Sequence, residues 1–175
     1  MHRIPLFLLA LASTVTWSAE NYSCMDQPRH RQFDFWAGSW RVTDQAGDKI
    51  YGNNTISIEQ GGCLLRESWR GTGGSSGGSL NYYDPRDQMW HQLWVDKDAS
   101  IITIAGNMED GSMVLTGNIY YLAERRQADF RGTWTPLPDG RVRQFFEERD
   151  SESKWQPWFD GYYLRAGETD RNSDG

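Results

Sequence analysis

Gly62-Cys63-Leu64-Leu65-Arg66-Glu67-Ser68-Trp69-Arg70 alternates with a period of two. Cys63, Leu65, Glu67 and Trp69 share one parity; Arg66, Ser68 and Arg70 share the other. Successive side chains of an extended chain point to opposite faces. The segment therefore reads as a strand with one largely apolar face, interrupted by a single carboxylate. The same pattern recurs downstream. Trp90, Gln92 and Trp94 oppose His91, Leu93 and Val95; Phe130, Gly132 and Trp134 oppose Asp129, Arg131 and Thr133. Val142, Gln144, Phe146 and Glu148 oppose Arg141, Arg143 and Glu147. Helical periodicity is absent throughout.

Outward from these stretches, short β-prone runs alternate with turn residues: Ala46-Gly47-Asp48, Gln60-Gly61-Gly62, Asp84-Pro85-Arg86-Asp87, Glu109-Asp110-Gly111 and Pro138-Asp139-Gly140. Ten strands are predicted, at 39–45, 49–59, 62–70, 78–84, 88–96, 99–106, 112–121, 127–135, 141–149 and 154–165. Connections this short pair each strand with its neighbour in sequence. The result is an all-β, antiparallel up-and-down meander, and closure into a barrel removes its two exposed edges.

The chain has 175 residues, enough for one domain with its own core. Its formal charge is −6 and no Lys/Arg stripe is present, which argues against nucleic acid as a partner. His2 and Arg3 precede an apolar run, Ile4 to Val15, and small residues Ser18 and Ala19 follow. That run is too short to span a bilayer and reads as a signal peptide. The expected organisation is a signal peptide at 1–19, an irregular N-terminal extension at 20–32, a barrel at 33–166 and a disordered tail at 167–175. Export, to a periplasm or the outside, also suits the cysteines. Only Cys24 and Cys63 exist, and an even count in an oxidising compartment favours one disulfide.

Gly38-Ser39-Trp40 resembles the Gly-x-Trp signature of lipocalins and other calycins. The longer series begins with Phe33-Asp34-Phe35-Trp36-x-Gly38-x-Trp40. It continues through Gly62-Cys63-Leu64-Leu65-x-Glu67-x-Trp69, Asn81-Tyr82-Tyr83-Asp84, Trp90-His91-Gln92-x-Trp94-Val95-Asp96, Thr133-Trp134-Thr135-Pro136 and Phe159-Asp160-Gly161-Tyr162. Together these resemble a bacterial family of exported calycin-like barrels of unestablished function, over about residues 33–165. The resemblance implies that Trp36 and Trp40 plug the barrel base and that Arg165 packs over Trp40. Haem-binding barrels of the nitrobindin type use a His late in the chain; here no His follows His91. No cofactor is expected.

The aromatic faces point inward, and they carry polar groups. The interior candidates are Glu67, Trp69, Gln92, Trp94, Phe130, Trp134, Gln144, Phe146 and Glu148. An unpaired buried carboxylate or amide is costly in a plain core, whereas a pocket uses a few such groups to orient a ligand. Two readings stand: a pocket for a small apolar or amphipathic molecule, or a structural or protein-binding barrel whose interior is filled and holds its own hydrogen-bond network. In a third, enzymatic, reading Glu67 or Glu148 acts as acid/base for a cyclase or isomerase reaction. His91 points away from the Trp face, no nucleophile elbow accompanies it, and no metal motif is present. Gly71 to Ser79, rich in Gly and Ser, is expected to be a flexible hairpin connection; the functional alternative is a mobile flap at the barrel mouth that opens for a ligand.

Overall fold

A computed structural model describes residues 22–167. The signal peptide expected at 1–19 and the tail after Gly167 lie outside them. Ten strands follow one another: β1 (Gly38–Thr43), β2 (Ile50–Glu59), β3 (Leu64–Gly71), β4 (Ser76–Asp84), β5 (Met89–Asp96), β6 (Ser100–Glu109), β7 (Ser112–Tyr121), β8 (Arg126–Pro136), β9 (Val142–Arg149) and β10 (Trp155–Arg165). Each pairs antiparallel with its neighbour, and β1 pairs with β10, so the barrel closes and no edge remains. At the seam Trp40 lies opposite Arg165 and Val42 opposite Tyr163.

The turns follow from local chemistry. Asp110 and Gly111 form the two-residue connection of β6 and β7, both at positive φ (46° and 82°). A primed turn of this kind matches the twist of the strands and suits an Asp-Gly pair. Its tightness lets β6 run to Glu109, three residues beyond its expected end. Other strand bounds differ for equally local reasons. β1 stops at Thr43, where its register with β2 shifts. Gly62 and Cys63 belong to a 3-10 turn and its end rather than to β3. β4 begins at Ser76, so two glycines of the expected connection are strand residues paired with β3 and β5. Gly77 faces Trp94, and a Cβ there would lie 2.5 Å from the indole ring. Only the Gly71–Ser75 turn stays at the mouth, closed by the Gly71 N–H donating to Ser75 O at 2.8 Å.

Residues before β1 close one end. The extension expected to be irregular folds into 3-10 turns at Cys24–Asp26 and Pro28–Arg31, and another spans Asp34–Trp36. Phe33 and Trp36 are wholly buried. Phe33 stacks on Trp36 with centroids 5.0 Å apart and meets Trp90 and Trp134 edge-on at 5.6 and 5.2 Å. These offset and edge-on pairings are the favourable ones for aromatic rings. The Trp90 indole donates to Arg29 O at 3.2 Å. The Cys24–Cys63 disulfide, with Cα atoms 5.1 Å apart, fastens this plug to the turn before β3. The Trp40 indole donates to Trp36 O at 2.8 Å. Over Trp40 lies the Arg165 guanidinium, 3.9 Å from the ring centroid, which also donates to Ala37 O at 2.7 Å. Gly38, at φ 136°, allows this approach, because a Cβ there would overlap the guanidinium.

Candidate functional site

With the plug filling one half of the barrel, the other half keeps an internal cavity of about 480 Å3. That volume lies within the range of small-molecule sites. Half of the residues lining it are aromatic, and none is Lys, Arg or His. Glu67, Ser100, Gln144 and Tyr163 are the buried polar members of its lining, and Glu67, Gln144 and Tyr163 form the floor. Trp69, Trp94, Phe146 and Phe159 provide the walls. Tyr51, Tyr121 and Trp158 stand at the mouth, where Trp158 is 43% exposed.

The register explains why these residues meet. Glu67 lies opposite Ser79, and Ser79 opposite Trp94. A bulge in β10 between Pro157 and Phe159 inserts Trp158 as an extra residue. Bulges re-aim side chains in this way. The Trp158 indole reaches toward β7 and donates to Tyr121 Oη at 2.9 Å. The Tyr121 hydroxyl in turn donates to Glu148 Oε2 at 2.5 Å, and the phenol is pushed up to about 12 by burial and by that carboxylate.

Beneath the walls runs a buried polar network that converges on Glu67. Ser79 Oγ donates to Oε2 at 2.6 Å and Asn54 Nδ2 to Oε1 at 2.7 Å. Asn81 Nδ2 donates to Ser79 Oγ at 2.7 Å, and Gln92 Nε2 to Asn81 Oδ1 at 2.8 Å. Asn54 Nδ2 also donates to Tyr163 Oη at 3.0 Å, and the Tyr163 hydroxyl donates to Gln144 Oε1. Among the described residues Glu67 has no ion-pair partner. Burial pushes its carboxyl up to about 7, against the opposing effect of the Ser79 and Asn54 hydrogen bonds. Burial also drives the Tyr163 phenol well above its ordinary range, and the nearby Glu67 adds to this. Asn54 Oδ1 and Gln92 Oε1 are buried and accept no hydrogen bond from the protein.

The interior candidates from the sequence divide by depth. Glu67, Trp69, Trp94, Gln144 and Phe146 line the cavity. Gln92 faces inward but sits at the far end of the Glu67 network. Phe130 and Trp134 are wholly buried in the core. Phe130 backs the wall through Phe146 and Trp158, at 5.3 and 5.4 Å, while Trp134 belongs to the plug through Phe33 and Trp36. Glu148 does not line the cavity; it pairs with Arg126 at 2.5 Å and takes the Tyr121 hydroxyl. The inner faces therefore hold a network and a cavity together, and the two sequence-level alternatives are parts of one interior.

Sequence reasoning missed Asn54, Ser79, Asn81 and Tyr163. Alternation was legible in β2, where buried Gly52, Asn54 and Ile56 alternate with exposed Asn53, Thr55 and Ser57. Ser79 was hidden by its place in the Gly/Ser stretch. Tyr163 enters only because β10 closes against β1.

A second polar cluster lies on the β4–β5 connection. Asp84, Asp87 and His91 bring their ligand atoms within 4.8 Å of one another. Arg86 already occupies both Asp84 oxygens, and its hydrogen bonds hold that carboxyl down at about 2. His91 Nε2 pairs with Asp87 at 2.8 Å. His91 is on the outer surface, stacked on Tyr82 with centroids 5.3 Å apart.

Neither a protein-family model nor a curated protein matches the chain.

Proposed function

We propose that this protein binds a small amphipathic molecule non-covalently inside its barrel. The apolar body of the ligand packs against Trp69, Trp94, Phe146 and Phe159, and a polar head meets Glu67 and Gln144. The observation that carries the reading is a cavity with aromatic walls above a fully buried, hydrogen-bonded carboxylate. Burial of apolar area supplies affinity at roughly 25 cal/mol per Å2, and the floor supplies orientation. Membership of the calycin group fits the Gly38-x-Trp40 start and the Arg165–Trp40 stack. Export fits the Cys24–Cys63 disulfide.

Titration with the neutral fluorophore N-phenyl-1-naphthylamine tests the proposal. Its emission should rise on a saturable curve with one site per chain. An Ile102→Phe variant, which adds a ring to the lining, should weaken that binding at least about tenfold while circular dichroism stays unchanged. Absence of saturable binding to the unaltered protein would refute the reading.

One observation favours a second reading. A carboxyl that titrates near 7 at a cavity floor is suited to general acid/base work. In that case Glu67 shuttles a proton on a bound substrate, as in an isomerisation or cyclisation. Turnover of a bound substrate by the parent protein, abolished in Glu67→Gln, would distinguish it from simple binding.

A further inference from the structure

Resting on the binding reading above, we propose that the ligand is an organic cation: an alkyl- or arylammonium whose charged head sits at Glu67 within the ring of Trp69, Trp94 and Phe159. Three observations carry this. First, no Lys, Arg or His lines the cavity, and two of its three acidic lining residues have no cationic side chain beside them among the described residues. Glu67 and Asp96 form no ion pair among the described residues, and Asp98 pairs only with the exposed Lys97. Asp96 is held by polar neighbours instead, accepting from the Ser100 N–H at 2.9 Å and the Trp94 indole at 3.3 Å.

Second, the wall rings carry no protein cation. On the outside of the barrel arginines cover aromatic faces, as Arg131 and Arg149 do over Trp155 at 4.5 and 4.8 Å. At the mouth Lys49 lies over Tyr51 and Arg126 over Tyr121. Among the described residues no protein cation lies over Trp69, Trp94, Phe146 or Phe159. A cation held over such faces is attracted by the ring quadrupole, more strongly when desolvated. Third, the hydrogen bonds at Glu67 run one way. Ser79 and Asn54 both donate to Glu67, so the carboxylate is a terminal acceptor with lone pairs left for a donor entering from the cavity. A ligand carboxylate in that position would meet a like charge.

Three probes with one chain and different heads test this: octylammonium, 1-octanol and octanoate, titrated by calorimetry at about pH 8. Octylammonium should bind at least about tenfold more tightly than 1-octanol, and octanoate most weakly. Glu67→Gln should lower octylammonium affinity at least about tenfold and so erase its advantage over 1-octanol. If 1-octanol or octanoate matches or exceeds octylammonium, the cation inference falls while the binding reading stands. If none of the three binds and the fluorophore also fails, the binding reading itself falls. The wild-type ranking decides the matter even where the Glu67→Gln variant does not fold.

Discussion

Replacing Glu67 by Gln should change how stability depends on pH, because the carboxyl titrates at different pH in the folded and unfolded chains. Its ordinary value is 4.5, and burial raises it to about 7 in the fold. Below 4.5 the group is protonated in both states and contributes no pH dependence. Between 4.5 and about 7 the folded protein holds a proton that the unfolded chain has released, so stability falls as pH rises. Above about 7 the group is ionised in both states and the full penalty is present. The shift corresponds to about 3 kcal/mol, taking 1.36 kcal/mol per pH unit. The amide that replaces the carboxyl keeps the side-chain shape, accepts from Asn54 and donates to Ser79, and does not titrate. All other titrating groups are common to the two proteins and cancel in the difference. Urea unfolding of both proteins from about pH 4 to about pH 8 should therefore show Glu67→Gln gaining about 3 kcal/mol relative to the parent across that window. For a chain of this size the gain corresponds to roughly 6–12 °C in Tm. Parallel profiles would show that Glu67 titrates at its ordinary value in the fold, and a change in the opposite direction that the network holds it below that value; either result would refute the reasoning.

Other predictions concern the closed end and the packing. Reducing or replacing Cys24–Cys63, which spans 39 residues, should cost about 4 kcal/mol by the chain-entropy estimate, measured by denaturation with and without reductant. Arg165→Met should cost about 2 kcal/mol, since it removes the Trp40 stack and leaves Ala37 O without its donor. Near-ultraviolet circular dichroism should report the disturbed indole. Gly132→Ala places a methyl 2.6 Å from Phe146 and 2.8 Å from Trp134, so it should destabilise by about 1–3 kcal/mol in the same denaturation assay.

Local pattern alone set the ten strands, to within a few residues at their ends, and the inward face of β3, β5, β8 and β9. Period-two alternation is local, and the turn residues fix where it restarts. The parity of Leu65, Glu67 and Trp69, of Trp90, Gln92 and Trp94, and of Phe130 and Trp134 was therefore legible before any tertiary contact. The cysteine count likewise pointed to the disulfide. Depth along the barrel was not legible. Alternation separates inside from outside, but height depends on the stagger between strands and on what fills each end. Only the folded chain decided that Trp134 packs against the plug while Trp94 lines a cavity. Closure of β1 on β10 brought Tyr163 to Asn54, and through Asn54 to Glu67, across 109 residues of sequence. The bulge at Trp158 turned that ring over the mouth. These outcomes rest on contacts between strands distant in sequence, and no local pattern encodes them.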